Sequence, residues 1–464
     1  MLRRRVGSLI AGVTSGRTQS FGWRSSQLPA QPGLRVGNAS ISLPLNDMQA
    51  PIIRAACEQA PYGLGHRTVV DTSVRNVLQV KDSESVCFTN PKWAAALEES
   101  VAEAADSLGL PRDAVTASFY KLLLYEPGSF FSAHTDTEKA NGMFGTLIVQ
   151  LPSAYKGGLV TVRHNSEDEE FALGADTGDA EYACHCLAHY ADCEHEVAPV
   201  QSGLRLVAIY SLCWARVSRW QQAKRVKSIS VPKTDPLVPR LAQVMSEVPA
   251  ADRHFMLQLE HQYTETSLIQ FGVNALKGND RARLIELRKA TKNEPLAYHL
   301  ALATVQEDEY EIYIDNDGER ESGRYVATLD GGEEYIWAHQ HLDHLVLIPE
   351  EGGRKDLRLR PRTLTGAKAE LIATSPWISQ RWGHQPQGNE GPIIGREYRG
   401  CFLMATPRLE DEADLTRPIL QQVSEAFYNT LIPHEDRAAC HGELGRFWDD
   451  NDEKDDDDEK DDDQ

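Results

Sequence analysis

The apolar pattern marks out strands first. The run 119–125, Phe-Tyr-Lys-Leu-Leu-Leu-Tyr, is short and apolar and stops at Glu126-Pro127-Gly128, as a buried strand ended by a turn does. A second extended segment, 130–133, leads into His134. The stretch 145–150 continues the β pattern, and a tight turn at Tyr155-Lys156-Gly157-Gly158 opens another strand over 159–163. The acidic stretch 166–170 reads as a loop. Residues 195–197 and 204–212 are extended segments around Pro199-Val200-Gln201-Ser202-Gly203, and Gly in that connection signals a hairpin. Two helices are expected ahead of this β core, which starts near Val115. One begins near Asp47, with Ile52, Ile53 and Ala56 as its apolar positions. The other follows Asn90, with Pro91 at its first position and residues 93–108 as its body.

After Trp214 the character changes. Residues 215–235 are basic and polar, a connector. Apolar spacing predicts helices over 237–248 and 280–290, strands over 310–314, 325–329 and 337–348, and a further helix near 415–431. The chain therefore divides into a basic N-terminal segment (1–46), a β core with helices (47–214), the connector, a second α+β region (236–432) and a C-terminal segment (433–464). Its fold class is α+β, with disordered termini expected.

Charge narrows the function classes. The net charge of −21 is unevenly spread: residues 1–46 carry +6, residues 449–464 carry −10, and the body between them −17. An acidic body argues against nucleic-acid binding, which needs clustered Lys and Arg. The C-terminal tail, with ten Asp and two Glu in its last sixteen residues, is a solubilising end or a contact for a basic partner. Arg3-Arg4-Arg5 with hydroxyl residues and no acids resembles a mitochondrial transit segment, and a merely basic start fits as well, so cytoplasm and mitochondrion both stay open. Eight Cys without paired spacing point to a reducing, intracellular compartment. No apolar run approaches the roughly 20 residues that span a membrane.

The candidate chemistry lies in the β core. His-x-Asp occurs three times, at His134/Asp136, His341/Asp343 and His434/Asp436, and about one such pair is expected by chance. Only the first is followed by a distant His, His195, with an Arg ten residues beyond it, Arg205. Residues i and i+2 of a strand share a face, so His134 and Asp136 can converge on one ion. Two His and one carboxylate bind ferrous iron on one side and leave positions open for a keto acid and oxygen. The planar fork of Arg205 suits the far carboxylate of that keto acid. A plainer reading makes His134 and Asp136 a polar strand pair, His195 a core histidine and Arg205 a partner for Glu194 or Glu196. Cys184-His185-Cys186, with His189 and Cys193, is dense in soft ligands, but one residue between the first two Cys suits a redox pair or packed thiols better than zinc. His339, His341 and Asp343 would share a strand face as a surface polar stripe.

Tyr125-x-x-Gly128-x-x-Phe131-x-x-His134-x-Asp136, followed by His195-Glu-Val-x-Pro-Val-x-Ser-Gly203-x-Arg205, resembles the iron and 2-oxoglutarate dioxygenases of the prolyl-4-hydroxylase type over residues 115–214. Residues 190–197 and 388–391 are similar to a larger subgroup of these enzymes. The resemblance implies a double-stranded β-helix (jelly roll) buttressed by helices, and oxidative decarboxylation of 2-oxoglutarate coupled to substrate hydroxylation. It implies His134, Asp136 and His195 as Fe(II) ligands, Arg205 for the distal carboxylate, and Tyr125 as an aromatic beside the cosubstrate. Phe131 departs from it, since the family often has Tyr there. Thr146 or Lys121 could add a cosubstrate contact, and a plain strand role is the expectation for Lys121. The cofactor is then Fe(II), with 2-oxoglutarate and O2 as cosubstrates and ascorbate as an open reductant. A protein side chain, prolyl-like, is the first substrate class. A small metabolite is the second, and an inactive jelly-roll scaffold the alternative from another class.

Overall fold

The computed structural model describes residues 28–64, 67–164, 167–215, 237–247, 255–292 and 296–311, with further strands at 21–25, 336–349, 378–384 and 393–406 and a few shorter pieces. Two antiparallel sheets build the first region. The larger contains β1 (Phe21–Ser25), β2 (Cys57–Gln59), β4 (Leu78–Val80), β5 (Val115–Tyr125), β7 (Met143–Leu151), β10 (His185–Tyr190) and β12 (Arg205–Trp214), in the order β1-β10-β7-β12-β5-β4-β2. The smaller contains β3 (Arg75–Asn76), β6 (Phe130–His134), β8 (Val160–His164), β9 (Glu167–Phe171) and β11 (Glu194–Val197), in the order β9-β8-β11-β6-β3. All nine residues of β7 are buried, because β10 and β12 flank it and both its faces are covered.

The inner faces of the sheets meet in one core. The rings of His189 on β10 and His195 on β11 lie 4.3 Å apart, with Val160 and Val162 of the small sheet fully buried. Leu147, Val149 and Leu206 are fully buried on the other face of the large sheet, which they share with Tyr210. Helix α2 (Trp93–Ser107), preceded by the short α1 (Ala50–Ala55), packs on β5 through Trp93, Val101, Ala104 and Ala105, spaced three, four and eight apart so that they share one helix face. The Trp93 indole donates to the Tyr210 hydroxyl at 3.3 Å, which fixes the helix against β12.

Several expectations change. Asn90 does not cap α2; its side chain accepts from Lys92 N at 2.9 Å, forming a turn that delays the helix to Trp93. The acidic stretch expected as a loop is the edge strand β9, paired with β8; its exposed acids point outward, as charged edge strands do. The segments around Pro199 to Gly203 are not a hairpin. β11 belongs to the small sheet and β12 to the large one, and Val200–Gly203 pairs instead with Tyr155–Gly157 while the chain crosses between sheets. Gly203 makes that crossing possible: its φ is +76°, and a Cβ there would stand 2.1 Å from the Ala154 carbonyl oxygen. The N-terminal segment is not wholly disordered, since β1 pairs with β10 and Leu28, Leu34, Val36, Ile41, Leu43 and Leu45 are buried in the core.

The second region contains α3 (Leu237–Ser246), α4 (Glu265–Phe271) and α5 (Gly278–Ala290), with a sheet formed mainly by β13 (Phe255–Gln258), β14 (Ala297–Glu311), β15 (Ile336–Pro349) and β16 (Ile393–Thr406). Helix α5 buries Asp280, Arg283 and Glu286 as well as Leu284 and Leu287; Asp280 accepts from the backbone of Glu260 and His261 and from the Tyr263 hydroxyl. Residues 216–235 of the connector, residues 325–329, 388–391, 415–431 and 433–464, and with them His434/Asp436, lie outside the described residues.

Candidate metal centre and anion pocket

His134 is the last residue of β6 and stands opposite His195 of β11 in the antiparallel register. Opposed residues on one face bring their Cβ atoms to about 5 Å, and here the imidazole centroids are 4.1 Å apart. Asp136 lies two residues beyond His134, and its backbone N–H donates to the Ala191 carbonyl at 2.9 Å. Its Oδ2 is 3.9 Å from His195 Nε2, and one ligand atom from each of the three residues lies within 4.8 Å of the others, a group that could hold a metal ion.

The hydrogen bonds set the tautomers. Nδ1 of His134 lies 2.8 Å from the Ser132 carbonyl oxygen, and Nδ1 of His195 lies 3.1 Å from that of Cys193. A carbonyl only accepts, so each Nδ1 carries the proton and each Nε2 keeps its lone pair for a metal. Burial pushes both imidazoles down to about 4, so they are neutral near pH 7. Burial alone would raise the Asp136 carboxyl, but His195, His189 and the Thr146 hydroxyl outweigh it and hold it below its ordinary value.

Buried neutral imidazoles tie stability to pH. Unfolded histidines take up protons near 6.5, whereas these two resist until about 4. Between those values the unfolded state binds more protons, so stability falls as pH falls. The metal-free protein should therefore show a lower urea midpoint at pH 5 than at pH 7, with a smaller drop in His195→Leu. An equal drop in both would refute the assignment.

Arg205 begins β12 opposite Tyr125 of β5 and is 1% exposed. Its Nε donates to Gln150 Oε1 at 2.9 Å, and its guanidinium lies 5.0 Å from the Tyr125 ring and 5.7 Å from the Tyr155 ring. Nη1 is buried without a hydrogen-bond partner, and no carboxylate pairs with the group among the described residues. A buried cation left so is costly unless an anion completes it. The plainer pairing with Glu194 or Glu196 fails, because both face Arg163.

The remaining candidates separate. Thr146 and Gln150 share one face of β7, but the Thr146 hydroxyl lies 2.5 Å from Asp136 Oδ2, at the metal ligands, while Gln150 holds Arg205. Lys121 donates to Gln79 Oε1 at 2.6 Å, a plain strand contact. Phe131 stacks on His134 at 3.5 Å. Cys184 and Cys186 are buried free thiols, both pushed up by burial. His189 stands opposite Thr146, fully buried beside His195, with Nδ1 on the Tyr190 carbonyl at 2.9 Å. His339, His341 and Asp343 lie on β15, with side chains outside the described ones.

Sequence reasoning passed over Gln150 and Tyr155. Alternation along 145–150 held the signal for the first, a polar residue on the same face as Thr146 in an otherwise apolar strand. Gln150→Leu should weaken binding of a dicarboxylate about tenfold by freeing the guanidinium from its acceptor. Isothermal titration with 2-oxoglutarate checks this, and unchanged affinity would remove Gln150 from the pocket.

No family model matches this sequence, and no curated protein does. Among solved structures, the chain is similar to a prolyl-4-hydroxylase from Pseudomonas putida, at 15% identity over 47% of this chain and 100% of that one, with a TM-score of 0.28. It is similar to a 2OG-Fe(II) oxygenase family oxidoreductase from Burkholderia pseudomallei, at 16% identity over 36% and 80%, with a TM-score of 0.23. A third is a prolyl hydroxylase from Trichoplax adhaerens in complex with a hypoxia inducible factor oxygen degradation domain peptide fragment, at 11% identity over 49% and 96%, with a TM-score of 0.30. Likeness this distant carries no argument. The functional reading rests on the side chains.

Proposed function

We propose that this chain is an Fe(II)- and 2-oxoglutarate-dependent dioxygenase, acting as a hydroxylase and built on a jelly-roll core. The observation that carries the reading is the pairing of a His/Asp/His group with a buried Arg whose Nη1 has no hydrogen-bond partner among the described residues. His134, Asp136 and His195 would hold the iron through two imidazole nitrogens and one carboxylate, leaving positions for a chelating keto acid and O2. When bound, iron and 2-oxoglutarate supply an oxidative decarboxylation: one oxygen atom of O2 enters succinate, CO2 leaves, and the other becomes the hydroxyl of the product.

The chain's own residues orient that chemistry. Ser132 and Cys193 carbonyls fix the imidazoles, and the Thr146 hydroxyl holds one oxygen of Asp136. Arg205, aligned by Gln150 and stacked near Tyr125 and Tyr155, takes the distal carboxylate. A buried guanidinium suits that task because charge-assisted hydrogen bonds strengthen away from water.

A protein side chain, prolyl-like by the sequence resemblance, is the first substrate class, and a small metabolite the second. The scaffold reading is disfavoured, since a buried guanidinium with no carboxylate beside it among the described residues costs stability unless an anion completes it. Incubation with Fe(II), 2-oxoglutarate and O2 should yield slow succinate release without added substrate, lost in Asp136→Ala. No succinate from folded, iron-loaded protein, with or without ascorbate, would refute the proposal.

A further inference from the structure

A second group of two His and one Asp forms where the two regions meet: one ligand atom each from His164, Asp192 and His261 lies within 4.8 Å of the others. The Asp192 side chain is only 4% exposed. Its Oδ1 accepts from Lys277 Nζ at 3.0 Å, and its Oδ2 faces His261 Nδ1 at 2.9 Å and accepts from Gln262 N at 2.9 Å. His164 Nε2 stands 3.8 Å from the same oxygen, its ring stacked on that of His261. The carboxylate already has its cation, the ammonium of Lys277, and three near contacts. A further divalent ion would have to displace them.

What Asp192 holds is the turn between β10 and β11, and that turn touches two of the three metal-centre residues. The Ala191 carbonyl accepts from Asp136 N at 2.9 Å, and the Cys193 carbonyl receives His195 Nδ1 at 3.1 Å. The Ala191 N–H is tied to the Phe144 carbonyl, while Asp192 reaches outward to the second region. A parallel tie lies one residue before the turn. The Tyr190 hydroxyl accepts from Gly278 N at 3.1 Å, donates to the Leu108 carbonyl at 2.6 Å, and its ring lies 5.5 Å from Lys277 Nζ.

We propose that Asp192 is a positioning residue: through its ion pair with Lys277 and its contacts with His261 and Gln262, the second region clamps the 191–193 turn and so holds Asp136 and His195 in metal-binding register. This rests on the metal-centre reading above. The second region is then part of the metal centre's support and not an appendage that serves only substrate access. Groups that orient ligands from outside typically matter by 10- to 100-fold in metal affinity.

The test is direct binding of Fe(II), and of Mn(II) as an air-stable stand-in, to the full chain without 2-oxoglutarate. Asp192→Asn and Lys277→Met should each weaken binding at least tenfold, and the double variant no more than the stronger single one. Lys277→Arg, which keeps the cation, should stay within about threefold of wild type. Should Asp192→Asn fail to fold, the two Lys277 variants carry the comparison. Unchanged affinity with only a lowered melting temperature would overturn the proposal. So would two ions per wild-type chain with one lost in Asp192→Asn, which would make the cluster a metal site. Failure of the dioxygenase reading would show separately, as metal binding without any response to 2-oxoglutarate.

Discussion

Arg205→Met is expected to weaken 2-oxoglutarate binding by about 100-fold and to leave binding of Fe(II) alone close to wild type. Arg205 is buried at the start of β12, and its Nη1 has no hydrogen-bond partner among the described residues. The distal carboxylate of the cosubstrate would complete it with charge-assisted hydrogen bonds worth about 1.5–3 kcal/mol each, and two of them amount to 100-fold or more. Met keeps much of the aliphatic volume against Tyr125 and Tyr155 and removes an uncompensated buried charge, so the fold should tolerate the change. Gln150 would lose its donor, which offsets part of that gain. Titration with 2-oxoglutarate and with succinate reads both arms of the pocket. Undiminished affinity for both would show that Arg205 faces no ligand.

The second large effect is expected at Asp136. Asp136→Ala removes the one negative charge among the three proposed ligands and strands the Thr146 hydroxyl that donates to it. A divalent ion held by two neutral imidazoles alone is poorly retained, so Fe(II) affinity should fall by more than 100-fold. The fold should survive, because the backbone N–H of Asp136 still reaches the Ala191 carbonyl and β6 ends before it. Equilibrium dialysis with metal analysis measures the loss. A retained ion with wild-type affinity would place the metal elsewhere, the His164/Asp192/His261 cluster being the next candidate.

The convergence of His134, Asp136 and His195 was legible in the sequence for a local reason. His134 and Asp136 are two apart at a strand end, where alternation gives them one face, and the structure brings His195 opposite. The path between them was not legible. Gly203 reads as a hairpin signal, yet its left-handed backbone serves a crossing between sheets, because the register of β11 is taken by β6 and β8. The strand β9 was hidden by its acids: an edge strand with one solvated face needs few apolar residues, and Phe171 alone is fully buried. The apolar residues between 28 and 45 are too scattered to show a period, and burial comes from docking on the core rather than from amphipathic pattern. Asp192 falls in the 190–197 stretch that the resemblance marked, but nothing local pointed to its contacts. Its partners His261 and Lys277 are 69 and 85 residues away.

The central claim is tested most directly by anaerobic titration of the full chain with Fe(II) and 2-oxoglutarate, followed by visible absorption. Wild type is compared with His134→Ala and His341→Ala. The account predicts a weak charge-transfer band in wild type and His341→Ala that is lost in His134→Ala. A band lost only in His341→Ala, or no band in folded wild-type protein, would contradict it.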